Sequence, residues 1–340
     1  MTGAQTRIDR QKAPSGGIFP GQLVYQSIDG FADHLEYELN SLGSCGREAC
    51  WSILGGPLYA ANINTSAANG IFWYRNRWLE PFIVEFDSIN HAADALRAIQ
   101  RNWAQTPAAC FRRAALIGKK LPPISAKPKA FPWTLPQTPM GAWALLDEHT
   151  MIASARCTSP FPSGMPRFAE TRHAPSRAYL KLWEALTLCR AWPGPGSVCL
   201  DAGASPGGWT WALSQLGAEV TAVDRAELEG EAASAAKRFI KHDAFTLTPG
   251  DIGSVDWLFC DAACYPGRLY RWIETWLESG LCKNFICTIK MQGVPGREGS
   301  EPDFETPRLF AAVRESRVVH LYHNKHELTW IKLAADSTQS

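Results

Sequence analysis

Cys199-Leu-Asp-Ala-Gly-Ala-Ser-Pro-Gly-Gly-Trp209 is the stretch whose reading decides the fold. A short apolar run, Val198 to Asp201, ends in a carboxylate and passes through three glycines into an amphipathic segment. That segment carries Trp209, Leu213 and Leu216 on one face, with Gly217 as its stop. A strand leading through a glycine loop into a helix is the nucleotide corner of a doubly wound sheet. A dinucleotide corner carries G-x-G-x-x-G, so that backbone amides and a helix N-terminus can hold a pyrophosphate. Here Gly203, Gly207 and Gly208 are spaced differently, and Pro206 takes one amide out of any phosphate cradle. The spacing argues against NAD and for S-adenosylmethionine, so Asp201, Gly203, Ser205, Pro206, Gly207, Gly208 and Trp209 are candidate cofactor contacts.

Outward from this loop, apolar runs of buried-strand length recur at Val220–Asp224, Phe239–His242, Trp257–Asp261, Phe285–Lys290, Val318–Tyr322 and Leu328–Leu333. Amphipathic segments fill the gaps. In Arg268–Ser279, Leu269, Trp272, Ile273, Trp276 and Leu277 form a helical stripe, with Gly280 as a left-handed stop. Strands alternating with helices predict an α/β, mostly parallel sheet. His323 to His326 leaves no room for a crossover helix, so the last two strands form an antiparallel pair. Asp224, 23 residues after Asp201, closes the second strand where a carboxylate accepts from ribose hydroxyls. Asp243, after the third, is placed to meet an adenine amino group.

The chain of 340 residues is long enough for two domains. Its 46% hydrophobic content and 14 tryptophans exclude a disordered chain. The expected division is a flexible N-terminus over residues 1–20, a smaller α+β domain over 21–158 and a linker over 159–175. A sheet domain over 176–335 and a tail over 336–340 follow. The linker is placed by Pro160, Pro162, Gly164, Pro166 and Pro175. In the first domain, Gln22–Ser27 reads as a strand, Phe31–Leu42 as a helix closed by Gly43, Ile71–Trp73 and Pro81–Phe86 as strands, and Ile89–Trp103 as a helix. The formal net charge is +1, which excludes a global field for nucleic acid or membrane. A local asymmetry stands out instead. From Arg97 to Leu146 there is no acidic residue, while eight lysines and arginines occur. Arg112, Arg113, Lys119 and Lys120 are candidate RNA contacts, with Trp103, Phe111, Phe131 and Trp133 as stacking partners.

Neither a signal-peptide block nor a run of membrane-spanning length is found, so a cytoplasmic protein without a membrane partner is expected. The ten cysteines include no C-x-x-C pair. Cys45/Cys50, Cys260/Cys264 and Cys282/Cys287 are too irregular for ligand pairs, and His323 and His326 share a turn with no third ligand, so no metal is expected.

Asp201-Ala-Gly-Ala-Ser-Pro-Gly-Gly-Trp209 resembles the cofactor loop of the FtsJ-like RNA ribose 2′-O-methyltransferases, and the resemblance extends over residues 175 to 334. Ser176-Arg-Ala-Tyr-Leu-Lys181 is similar to that family's opening helix and Phe259-Cys-Asp261 to its fourth strand. Ile289-Lys-Met-Gln-Gly293 is similar to the fifth strand, and His326-Glu-Leu-Thr-Trp330 to the final pair. The resemblance implies a Rossmann-like class I S-adenosylmethionine methyltransferase sheet and a catalytic tetrad of Lys181, Asp261, Lys290 and Glu327. Met140-Gly-Ala-Trp-Ala-Leu-Leu and Ser159-Pro-Phe-Pro-Ser-Gly-Met-Pro-Arg167 are similar to one subgroup, the ribosomal RNA large-subunit methyltransferase M family. That subgroup modifies the ribose of a 23S rRNA cytidine and carries ferredoxin-like and THUMP pieces before its catalytic domain. Resemblance therefore implies ribosomal RNA as the partner. Two other classes remain, a small-molecule O-methyltransferase and an RNA-binding or ribosome-assembly protein without turnover.

The residues themselves suit such chemistry. Asp261 and Lys290 end neighbouring strands at the carboxyl edge, where ligands of such sheets bind. A ribose hydroxyl needs a group that takes its proton or holds its oxygen. For lysine to act as base its pKa must fall, and burial beside a second ammonium, Lys181, is expected to lower that of Lys290.

Overall fold

The computed structural model describes residues 22–42, 51–63, 68–296 and 301–334. The expected N-terminal segment, Gly43, Cys45, Cys50 and the C-terminal tail lie outside the described residues. The chain divides into two compact units, Met1–Lys127 with Pro136–Arg167, and Pro128–Leu135 with Phe168–Ser340.

In the first unit β1 (Leu23–Gln26), α1 (Ala32–Leu42), β2 (Trp51–Gly55), β3 (Leu58–Ala61) and β4 (Asn76–Trp78) come first, and the four strands form an antiparallel sheet of order β2-β3-β1-β4. A second sheet is built from β5 (Phe82–Glu85), β6 (Trp103–Gln105), β7 (Gly141–Leu145) and β8 (Thr150–Ser154), in the order β5-β8-β7-β6. With it pack α2 (Ile89–Arg97) and α3 (Phe111–Gly118). The period of two in a strand separates the layers. Val24 faces Ala142, Ala144 and Ile152 between the two sheets, whereas its neighbour Tyr25 packs on Leu35 and Leu39 of α1. Trp143 and Met151 turn the other way, onto Leu96 of α2 and Ile117 of α3.

Two expectations fail here. Ile71–Trp73 is no strand: its side chains are buried, but the amides of Phe72 and Trp73 each donate to Glu38 Oε2 at 2.9 Å. A buried carboxylate thus satisfies the backbone that a ladder would otherwise serve. The helix from Ile89 also stops at Arg97, with Ser88 as its N-cap, and Trp103 opens a strand instead. Trp103 Nε1 donates to the carbonyl of Leu96 at 2.9 Å, folding the chain back on the helix end.

The second unit holds α4 (Tyr179–Cys189), β9 (Val198–Ala202), α5 (Gly208–Ser214), β10 (Glu219–Asp224), α6 (Gly230–Ala235) and β11 (Arg238–Lys241). Then come α7 (Pro249–Ile252), β12 (Val255–Cys260), α8 (Pro266–Ser279), β13 (Cys282–Lys290), α9 (Glu305–Ala312), β14 (Ser316–Val319) and β15 (Glu327–Lys332). The seven strands form one sheet of order β11-β10-β9-β12-β13-β15-β14. It is parallel from β11 to β13, and β15 is antiparallel to both its neighbours. The antiparallel pair is the one expected from the short connection, and Gly280 ends α8 at φ 65° as its position after the apolar stripe requires. Order reversal between β10 and β12 around β9 makes the switch point at which such sheets bind ligands. Pro128–Leu135 belongs to this unit, where Phe131 stacks on Trp183 at 5.1 Å. Among the described residues no helix is long and apolar enough to cross a membrane.

Candidate active site

Neighbouring strands bring the charged residues together. Asp261 follows the end of β12, Lys290 ends β13, and Lys290 is the register partner of Glu327 at the start of β15. Lys181 comes from α4, whose surface is buried almost all round. The four side chains close a ring. Lys181 Nζ lies 3.0 and 2.9 Å from the two oxygens of Asp261 and 2.6 Å from Glu327 Oε1. Lys290 Nζ lies 2.6 Å from Asp261 Oδ1 and 2.6 Å from Glu327 Oε2. Two ammoniums and two carboxylates cancel, which is what permits four charges in a largely buried place.

The ring changes the expected titration. Burial alone would favour neutral Lys290, but the carboxylates of Asp261 and Glu327 outweigh it and hold the pKa above the ordinary lysine value. The depressed pKa expected from a second nearby ammonium is therefore corrected, because each ammonium in the ring faces two carboxylates. For Glu327 burial works against ionisation, yet Lys181 and Lys290 keep its carboxyl below the usual range.

Beside the ring opens a cleft of about 290 Å³, lined by Gly203, Ser205, Asp224, Asp243 and Asp261 from the expected set. Asp224 accepts from the amides of Ser205 (3.0 Å) and Ala226 (2.9 Å), tying the glycine loop to the end of β10. Asp243 accepts from the Phe245 amide (3.1 Å) and from Arg268 (3.0 Å). Despite burial these partners hold its pKa below the ordinary value. Gly203, at φ 78°, leaves no room for a side chain: a Cβ there would sit 2.4 Å from that of Ala262.

The other expected cofactor contacts do not line this cleft, and their side chains or backbone pack around the loop. Asp201 is 1% exposed and accepts from Thr210 Oγ1 at 2.6 Å, and burial pushes its pKa up to about 7. Pro206 accepts from the amide of Glu229 at 2.9 Å. A Cβ on Gly207 would meet that of Ala232 at 2.3 Å, and one on Gly208 would meet Ser176 Oγ at 2.4 Å. Trp209 is buried and donates to the carbonyl of Ala178 at 2.9 Å. Sequence reasoning missed Phe245 and Arg268, which line the cleft with the guanidinium 5.0 Å above the ring. In the sequence Arg268 reads only as the start of a helix, and its reach back to Asp243 has no linear signature.

The candidate RNA contacts lie on the other unit. Arg112, Lys119 and Lys120 are exposed on or beside α3, while Arg113 is half-buried over Phe86. Of the expected stacking aromatics only Phe111 presents an exposed ring. Trp103 is in the core, and Phe131 and Trp133 pack against the core of the second unit.

A model of the FtsJ-like methyltransferase family matches residues 174–296, a span that holds the glycine loop, Lys181, Asp261 and Lys290. The "Ribosomal RNA large subunit methyltransferase M" of Xanthomonas oryzae pv. oryzae is 30% identical over 252 residues, covering 70% of this chain and 67% of that protein. The chain belongs to the FtsJ-like methyltransferase family. Within the family it is also similar to two further proteins of that same name. That of Alkalilimnicola ehrlichii is 37% identical over 188 residues, 52% of this chain and 51% of the relative. That of an Azoarcus species is 35% identical over 188 residues, 51% and 50%. These two matches thus span about half the length of the relatives. The cofactor of FtsJ-like methyltransferases, S-adenosylmethionine, fits the cleft. It combines a close-packed glycine, carboxylates for hydroxyl and amino donors, and the Phe245 ring.

Proposed function

We propose that this protein is an S-adenosylmethionine-dependent ribose 2′-O-methyltransferase of ribosomal RNA, with a 23S rRNA cytidine as target. The observation that carries the reading is the closed ring of Lys181, Asp261, Lys290 and Glu327 at the rim of a cleft suited to the cofactor. When bound, the cofactor would supply an electrophilic methyl group on a sulfonium: the oxygen–carbon bond that forms replaces the carbon–sulfur bond, and S-adenosylhomocysteine leaves as a neutral thioether. Gly203, Ser205, Asp224, Asp243 and Phe245, which line the cleft, would hold the cofactor. Lys290, the most exposed of the four side chains at 23%, is the one the incoming hydroxyl meets. As an ammonium it donates to the ribose oxygen and fixes its line of approach. It does not take the proton. As the oxygen–carbon bond forms the hydroxyl becomes strongly acidic, and its proton leaves toward the carboxylate oxygens of Asp261 and Glu327. Lys181 keeps those carboxylates from facing each other uncompensated.

RNA is contacted by Arg112, Lys119 and Lys120, which form an exposed cationic edge in a segment free of acids. The reading is tested by transfer of tritiated methyl to ribosomal RNA followed by digestion to nucleosides. Label in 2′-O-methylcytidine is the expected product. Label only in a methylated base overturns the ribose assignment, and transfer that ignores RNA in favour of small hydroxyl compounds overturns the substrate class.

A further inference from the structure

Lys181 and Glu327 meet across a gap that the sheet does not control. The β13–β15 ladder fixes Glu327 against Lys290, its register partner, but Lys181 sits on α4, outside the sheet. A second tie joins the same two places. Glu184, three residues after Lys181 and on the same side of the helix, is 3% exposed. Its carboxylate accepts from the amide of Tyr322 at 2.7 Å and from the amide of His323 at 3.1 Å, and meets His323 Nδ1 at 2.7 Å. The turn it grips, between β14 and β15, leads directly into Glu327. Other bonds keep that turn in one piece: His320 Nε2 meets the carbonyl of Lys325 at 2.9 Å, and Asn324 Nδ2 donates to Thr329 Oγ1 at 3.1 Å.

We propose that Glu184 is a positioning residue for methyl transfer: by clamping the turn at Tyr322 and His323 to α4, it sets the distance between Glu327 and Lys181 and so closes the ring. The proposal rests on the reading of that ring as the methyl-transfer site. The ladder gives one coordinate of Glu327 and the Glu184 clamp gives the other. A carboxylate is suited to this, because two backbone amides and an imidazole N–H all need acceptors in a dry place. A misplacement of about 1 Å at such a site costs about 100-fold in rate.

Two measurements on Glu184→Ala and Glu184→Gln, made at a temperature where circular dichroism shows each fully folded, test the proposal. In the ligand-free protein, hydrogen exchange at the Tyr322 and His323 amides is expected to quicken by at least about tenfold in Glu184→Ala, since both lose their acceptor. Exchange as slow as in wild type would overturn the clamp. In single turnover, Glu184→Ala is expected to lose about 10- to 100-fold in rate with cofactor and RNA affinities unchanged. Glu184→Gln, which keeps one acceptor oxygen, is expected to fall between it and wild type. If Glu184 acts through Glu327, adding Glu184→Ala to Glu327→Ala costs nothing further, whereas two losses that multiply would overturn the positioning role. Wild-type protein that transfers no methyl to RNA would defeat the proposed function instead, and the exchange measurement would still decide the clamp.

Discussion

The two units place their charges in opposite ways. In the second unit strand ends and one helix drive Lys181, Asp261, Lys290 and Glu327 into a ring where each charge has two partners and side-chain exposure is 23% at most. In the first unit the cations of α3 and the residues after it face solvent, with Arg113 alone leaning on an aromatic ring. The ring is closed and neutral, so it suits the alignment of one bond. The cationic edge is exposed and without acidic partners in its own segment, and suits many interchangeable contacts with phosphates. Substitutions in the first should therefore act on rate, and substitutions in the second on affinity and its salt dependence.

The largest effect is expected for Lys290→Ala. Methyl transfer should fall by about 1,000-fold or more while calorimetric affinity for S-adenosylmethionine stays within about twofold, because in the proposed mechanism the ammonium acts on the reacting oxygen. With Lys290 protonated well above neutrality, the wild-type rate should show no rise between about pH 7 and 9. It should fall only in acid, below the ordinary carboxylate range, as Glu327 is protonated. A rate climbing through pH 8 would make Lys290 the base and replace alignment by proton transfer as the work of the ring.

Next come the glycines, which separate the cleft from its support. Gly203→Val should abolish measurable cofactor binding and destabilise the unit by at least ~1–3 kcal/mol, since it combines φ 78° with overlap on the cleft wall at Ala262. Gly207→Val should act by forcing α6 away at Ala232, so its loss of binding should follow its loss of melting temperature. If Gly207→Val stays fully stable yet binds no cofactor, that glycine faces the ligand after all.

A smaller effect is expected on the first unit. Replacing Arg112, Lys119 and Lys120 with Gln should weaken RNA binding about 10-fold at moderate salt. The slope of log affinity against log salt should flatten by about two to three, at ~0.7–0.9 for each phosphate no longer neutralised. Single-turnover rate at saturating RNA should not change. An unaltered salt slope would reduce the segment to a solvated helix face.

A last effect, on stability alone, concerns Asp201, whose carboxyl titrates at about 7 in the folded chain and near 4 when unfolded. The fold then binds the extra proton between those values, so stability declines as pH rises through this window and levels off above 7. Asp201→Asn should remove the decline, which is at most about 1.4 kcal/mol for each pH unit. Denaturant titrations of both proteins at pH 4.5 and 6.5 measure the difference.

How much could be read in advance differs residue by residue. The seven strands of the second unit were legible because buried parallel strands are continuous apolar runs, and the lack of space between Tyr322 and Leu328 forces an antiparallel return. Ile71–Trp73 misled because an apolar run shows burial and says nothing of where its amides go. Here those of Phe72 and Trp73 go to Glu38, 34 and 35 positions earlier. Phe131 and Trp133 misled in the same manner: aromatic spacing among cations looks the same whether rings are offered to bases or packed into a core, as Phe131 is against Trp183.

By itself the sequence determined the sheet, its antiparallel end and the glycine loop, since these follow from local pattern, apolar period and turn residues, while the four residues of the ring were implied by the resemblance to the FtsJ-like family. Only the tertiary structure decided which of the loop residues face the cleft, that Arg268 returns to Asp243, and that Lys290 is an ammonium. A pKa depends on the charges that surround a group in space, and two carboxylates, Asp261 just after β12 and Glu327 in β15, outweigh the burial that the sequence alone suggested would lower it.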